Sequence, residues 1–205
     1  MFISAESRWF WRESLPAGLE DWFRSTGFSP GGGIVRIDEY LLDAGNPELG
    51  VKKRGGKNGV EIKGLVETRS ALPAPFHGRV QIWSKWSSEA VTIDALPRLT
   101  LRKTRSVRKF DAAAPEVREL AVGPDEQLLH ATELTDGCQA ELTSLIVGDN
   151  NVRWWTFGFE AFGSLQTVER SLRRIVDHLL RTSPPTLEAA TELSYPQWIA
   201  SRPLG

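Results

Sequence analysis

Charged side chains that could do chemistry recur in this chain at a spacing of two. Gly59-Val60-Glu61-Ile62-Lys63-Gly64 sets Glu61 and Lys63 on one side of an extended segment, and Ile34 to Leu42 sets Arg36, Asp38 and Tyr40 together. Arg98 to Phe110 holds Arg102, Lys103, Arg105, Arg108 and Lys109. Gln139, Glu141 and Thr143 share a side, as do Trp154, Thr156 and Glu160, and as do Ser4, Glu6 and Arg8 in the opening stretch. Arginines and lysines grouped this way grip phosphate-type oxygens, arginine in bidentate fashion. Carboxylates among them could hold a hard divalent cation and, through it, activate water.

Two accounts of these faces stand side by side. In one they meet solvent, with cross-strand charge pairs worth about a few tenths of a kcal/mol each. The chain is then a β-domain interaction protein acting through its tryptophans. In the other they line the inside of a wide barrel whose apolar faces pack outward on helices. The charge pattern alone favours the solvated account.

The elements that must position these side chains are mostly strands. Ile3 to Trp11 alternates with period two, with Ala5, Ser7, Trp9 and Trp11 opposite the polar side. Pro16 to Phe23 carries Leu19, Trp22 and Phe23 at helical spacing, and Gly27 to Gly33 reads as a linker. Strands follow at Ile34 to Leu42, Leu49 to Arg54 and Gly59 to Val66, the last two joined in a hairpin by Gly55-Gly56-Lys57-Asn58. Leu72-Pro73-Ala74-Pro75 breaks the chain before strands at Arg79 to Trp86 and Leu99 to Phe110. Pro115 to Pro124 is either a helical turn or a loop. Strands at Gln127 to Glu133, Cys138 to Val147 and Val152 to Phe159 complete the series, with Asp149-Asn150-Asn151 as a turn. From Ser164, read as an N-cap, the apolar residues Leu165, Val168, Leu172, Ile175, Val176, Leu179 and Leu180 take helical spacing up to Pro184-Pro185. A short helix is expected near Thr186, and Tyr195 to Ile199 is expected to pack back on the body. About eight strands with late helices predict a mostly β protein, an antiparallel barrel.

Composition narrows the classes. The 205 residues carry 25 basic and 26 acidic side chains, a net charge of -1, with 40% hydrophobic and 25% charged residues. That is an ordinary globular balance in a chain long enough for a full core. Near-neutral charge argues against a DNA- or RNA-coating protein, and the basic run Lys52-Lys53-Arg54-Gly55-Gly56-Lys57 reads as a hairpin tip. No run of 18 apolar residues predicts a membrane span, and the N-terminal residues do not read as a signal peptide, so a cytoplasmic location is expected. Cys138 is the only cysteine and reads as a buried thiol. His77, His130 and His178 lack metal-ligand spacing, there is no Gly-x-Ser-x-Gly elbow, and the glycine-rich linker lacks a P-loop ending. Eight tryptophans against two tyrosines read first as core anchors.

The order of the strand motifs resembles the triphosphate tunnel metalloenzyme (CYTH-like) superfamily over residues 3 to about 181. The opening Glu-x-Glu-x-Lys pattern is matched by Ser4-Ala5-Glu6-Ser7-Arg8-Trp9-Phe10, and the strand ending in Tyr-Leu by Asp38-Glu39-Tyr40-Leu41. A Leu-Arg-Val-Arg-like strand is matched by Leu49-Gly50-Val51-Lys52, and a Leu-Thr-x-Lys-Gly-like strand by Val60-Glu61-Ile62-Lys63-Gly64. Lys103-Thr104-Arg105, Ala140-Glu141-Leu142-Thr143 and Gly158-Phe159-Glu160 look like the later motifs, and the helix after Gly163 fits the closing one. The resemblance implies a single domain over residues 1–205: a closed eight-stranded antiparallel tunnel-like barrel (about 3–160) with flanking helices and a C-terminal helical segment (164–205). It implies binding, with hydrolysis as a further step, of a triphosphate-bearing or other anionic small molecule with Mg2+ or Mn2+. Glu6, Glu141 and Glu160 become the candidates for metal ligation and catalysis. Arg8, Arg36, Lys52, Lys63, Arg79, Lys103 and Arg105 become the candidates for phosphate contact, while Arg54 is left to the hairpin turn and Glu61 to pairing with nearby cations. The departures are Ser4 for a glutamate, Arg8 for a lysine, Gly50 for an arginine and Gly158 for a glutamate. They weaken catalysis more than anion binding and keep open a non-catalytic anion-binding role on the same fold.

Overall fold

The computed structural model describes residues 2–28, 30–42, 45–130, 134–148 and 152–201. Strands β1 (Phe2–Arg12), β2 (Gly31–Leu41), β3 (Leu49–Arg54), β4 (Val60–Ala71), β5 (Arg79–Ser88), β6 (Arg98–Asp111), β8 (Gly137–Val147) and β9 (Val152–Gly163) pair in the order β1-β5-β4-β3-β2-β6-β8-β9. The pairing of β9 back onto β1 closes the ring. Every pairing is antiparallel. The result is a closed eight-stranded antiparallel barrel with flanking helices. Short strand β7 (Arg118–Leu120) is added on β6, and β10 (Thr191–Glu192) on β1.

The apolar faces point outward. Ala5, Trp9, Trp11, Val80, Ile82, Ala140, Leu142, Phe157, Phe159 and Ala161 form a buried layer beneath helices α1 (Leu19–Ser25) and α2 (Val168–Leu180). Trp22 and Phe23 from α1 set their ring edges against Phe157. From α2, Val168, Leu172, Ile175, Val176 and Leu179 are buried, as an amphipathic helix requires. Strands β1, β5, β8 and β9 are therefore covered on their outer side, whereas the outward Val35 and Ile37 of β2 are exposed; the face inside the barrel is ionic.

A second core fills one end of the barrel. Ser194 starts helix α3 (Tyr195–Ala200) with a capping box closed by Gln197, and Pro196 fits the first turn, where its missing N–H costs nothing. Tyr195, Trp198 and Ile199 then pack with Phe10, Leu101, Leu145 and Val147. Trp198 stacks on Phe10 at 4.8 Å and 12°. Trp9, Trp11, Trp22, Trp83 and Trp198 are all buried, so most of the tryptophans are core anchors.

Several expectations are corrected. Gly31 to Gly33 belong to β2, not to a linker: Gly31 and Gly32 pair with Val107 and Ser106, and a bulge follows. Gly32 has φ 109°, and a Cβ there would lie 2.4 Å from the Arg105 carbonyl oxygen, so the bulge demands glycine. The 115–124 segment contains β7 rather than a helical turn. Residues 127–130 add only a bridge between Val122 and Leu128, not a barrel strand, and 131–133 lie outside the described residues, as does the turn at 149–151. Helix α2 is capped at Thr167 rather than Ser164, whose carbonyl accepts from Val168 N–H. No helix forms near Thr186, and β10 follows instead. Among the described residues no helix is long and apolar enough to cross a membrane.

Trp198→Ala should cost about 3–5 kcal/mol of stability through lost burial and a cavity. Trp86→Ala, at an exposed site, should stay within about 0.5 kcal/mol. Urea unfolding midpoints compare the two.

Candidate functional site

Alternation along the strands carries the charged faces into the lumen, where they line a cavity of about 570 Å³. Glu6, Arg8, Arg36, Lys52, Lys63, Lys103, Arg105, Glu141 and Glu160 are all among its walls. Lys103, Glu6, Arg8 and Glu141 are buried, which overturns the solvated account of these faces. Tyr195 and Pro196 of α3 supply lining from the filled end, and the half-exposed Phe2 and Trp86 mark the rim.

The ion pairs run in cross-strand rows. In one, Glu6 faces Glu160 across β1 and β9, and Gln139 faces Glu160 across β8. Lys85 Nζ lies 2.6 Å from Glu6 Oε1 and 2.5 Å from Glu160 Oε1. Lys63 Nζ donates to Glu6 Oε2 at 2.9 Å, Ser4 Oγ donates to Glu6 Oε1 at 3.0 Å, and Gln139 Nε2 donates to Glu160 Oε2 at 3.2 Å. In the next row, Arg8, Gly158 and Glu141 sit abreast on β1, β9 and β8. Arg8 crosses over the glycine to donate to Glu141 Oε1 at 2.9 Å and Thr156 Oγ1 at 2.8 Å. A Cβ at 158 would lie 3.1 Å from the Arg8 Cζ and 2.9 Å from the Ser7 carbonyl oxygen. Gly158 is therefore the space through which Arg8 reaches. Gly50 has a similar role: a Cβ there would lie 2.8 Å from Pro196 Cγ, so α3 occupies the room of a side chain.

Elsewhere in the lumen, Asp38 is fully buried against Lys103 Nζ (3.0 Å) and Arg36 Nε (3.0 Å). Lys103 also donates to Tyr40 Oη at 2.6 Å and lies 4.0 Å from the Tyr195 ring centroid. Glu61 takes both Lys52 and Arg54 at 3.0 Å. Arg105 joins Glu141 (3.2 Å) to Glu126 (2.8 Å). The buried Nε–H groups of Arg54 and Arg105 have no acceptor among the described residues.

These pairs set the protonation states. Burial pushes the Glu6 carboxyl up, but Lys63 and Lys85 more than reverse it and hold it well below the usual carboxylate range. The same contest leaves Glu141 well below that range through Arg105 and Arg8, and Glu160 below it through Lys85. Burial drives Lys63 down to about 8 despite Glu6, and Lys103 well below its ordinary value despite Asp38. Lys85 goes the other way. Burial opposes its charge, yet Glu160 and Glu6 raise it above the ordinary lysine value.

Not every expected residue gathers here. Arg79 shares the inward parity of β5 but is exposed and outside the cavity lining. Its neighbour Gln81 meets Gln197 of α3, which places Arg79 beyond the filled end. On β6 only Lys103 and Arg105 line the cavity. Arg102 is exposed, Arg108 is buried against Glu119 and Thr26, and Lys109 reaches the Glu126 carbonyl. Lys85, Arg54, Glu61 and Tyr195 line the cavity without having been candidates. Lys85 had a signal, the alternation Gln81, Trp83, Lys85; Tyr195 had none.

A magnesium or manganese ion would need carboxylate oxygens left open to it. Among the described residues no group of three acidic, histidine or cysteine side chains comes together. Glu6 and Glu160 are adjacent, but the Lys85 ammonium stands between them, and Glu141 is held by Arg8 and Arg105. The donor set does not fit a divalent cation.

No family model matches the chain, and no curated protein matches it. Among solved structures the chain is similar to the PH1819 protein from Pyrococcus horikoshii OT3, with 11% identity over 96% of this chain and 97% of that chain and a TM-score of 0.43.

Glu6 titrates from an ordinary value of 4.5 to a lower one on folding. Its contribution to stability is complete above pH 4.5 and is lost as pH falls toward the folded value. Urea midpoints should drop steadily below pH 4.5, and Glu6→Gln should flatten that fall.

Proposed function

We propose that the chain binds a compact polyanion, a triphosphate or short oligophosphate borne by a small molecule, inside the barrel and without turnover. The observation that carries this reading is the charge of the lumen. Eight basic side chains and four carboxylates line it, and the surplus of cations survives when Asp38 and Glu126, which pair with lining residues, are counted as well. In a chain whose net charge is -1, that surplus is a local concentration of positive field. Buried cations without a full set of counter-charges are costly, and an anion seated among them relieves the cost. A cavity of about 570 Å³ is of small-molecule size.

The hydrolytic alternative needs a metal held by Glu6, Glu141 and Glu160, and the cations already on those carboxylates stand against it. What the chain's own residues supply is binding: Arg105, Lys63, Lys52 and Arg36 present charge to the cavity, and Tyr195 and Pro196 limit its depth.

Inorganic tripolyphosphate titrated calorimetrically in EDTA should give a saturable isotherm with no sustained heat. Arg105→Ala should weaken it about tenfold or more, the scale of one lost charge-assisted hydrogen bond. Sustained heat that appears only with Mn2+ would instead establish a metal-dependent triphosphatase.

A further inference from the structure

Lys85 is the lumen cation whose setting differs from the rest. Its ammonium is within 2.6 Å of one oxygen each from buried Glu6 and part-buried Glu160, two carboxylates brought face to face by the β1–β9 register. Lys63 and Ser4 take remaining positions on Glu6, and Gln139 takes the second oxygen of Glu160. Two facing carboxylates in a low-dielectric interior repel each other and must be bridged by a cation or take up a proton. Here a side chain of the protein is the bridge.

We propose that Lys85 is a built-in counter-cation, standing between Glu6 and Glu160 where a divalent metal ion would otherwise bridge them, and that anion binding in the lumen is metal-independent for this reason. The second half of the statement rests on the anion-binding reading; the first half rests on the geometry alone. A tethered ammonium carries one charge where a divalent ion carries two, and it has no open coordination position to offer a phosphate oxygen or a water. It holds the two carboxylates in place and keeps them from repelling an incoming anion, but it generates no nucleophile.

The test replaces Lys85 and measures Mn2+ binding by calorimetry and by the paramagnetic resonance signal of free Mn2+, in the absence of any anion. Lys85→Met keeps the length and removes the charge. It should bind Mn2+ at one site at least tenfold more tightly than wild type, and Glu160→Gln added to it should abolish that gain. Lys85→Arg, which keeps a cation in place, should behave as wild type. A folded Lys85→Met protein with no gain in Mn2+ affinity overturns the proposal. So does saturable Mn2+ binding to wild type that disappears in Glu160→Gln, an outcome that does not depend on any Lys85 variant folding. Tripolyphosphate binding by wild type in EDTA is read separately. Its absence would sink the anion-binding reading while leaving the Mn2+ comparison to decide the role of Lys85.

Discussion

Ionic groups of both signs can line the inside of a barrel only if they sit against opposite charges, shared or single, because desolvation of an isolated charge costs several kcal/mol against a small net stability. One register closes the ring. Pairing β9 on β1 sets Glu6 opposite Glu160 and Arg8 opposite Gly158, while Lys63 and Lys85 reach the two glutamates from β4 and β5, and Asp38 and Glu61 meet their cations on β2, β3 and β6. A slip of one residue would turn Ala5 and Ser7 inward and drive Glu6 and Arg8 under the helices, among Phe157, Phe159 and Leu172. The apolar layer outside and the charged lining inside thus specify the same register, each making the alternative costly for the other.

The glycines within this arrangement are as consequential as the charges. Gly158 looks, from its place in the motif order, like a lost carboxylate, and Gly50 like a lost arginine. In the folded chain both are clearances: one for the guanidinium of Arg8 on its way to Glu141, one for Pro196 of α3. A functional group restored at either position would collide with what now fills the space. The lumen is a self-consistent ionic lining in its own right, with its acids committed to its bases.

Much of this could be read from residue order. Period two along β1, β2, β4 and β8 sorts the charged from the apolar face, and the bulges in β4 fall after Leu65, beyond the point where they could swap Glu61 and Lys63. What parity does not encode is depth along the barrel axis. Arg79 has the right side and the wrong height. Lys85 shares its side with Gln81 and the buried Trp83, and a large apolar ring on the inward face weakens the ionic pattern that marks the other strands. The segment 115–130 was illegible because its short pairing with β6 depends on contacts with Phe110 and Asp111, not on any pattern of its own. Tyr195 reaches the lumen from a helix nearly two hundred residues away from Glu6, and only the folded topology brings the two together.

Helix α3 turns what would be a passage into a blind cup. Trp198 stacked on Phe10 fills the end that Tyr195 and Pro196 line, and the described lining runs from there to Phe2 and Trp86 at the rim. For a guest of the kind proposed, such a floor sets a depth: a linear anion longer than the cup would enter tip first and leave its remainder in solvent.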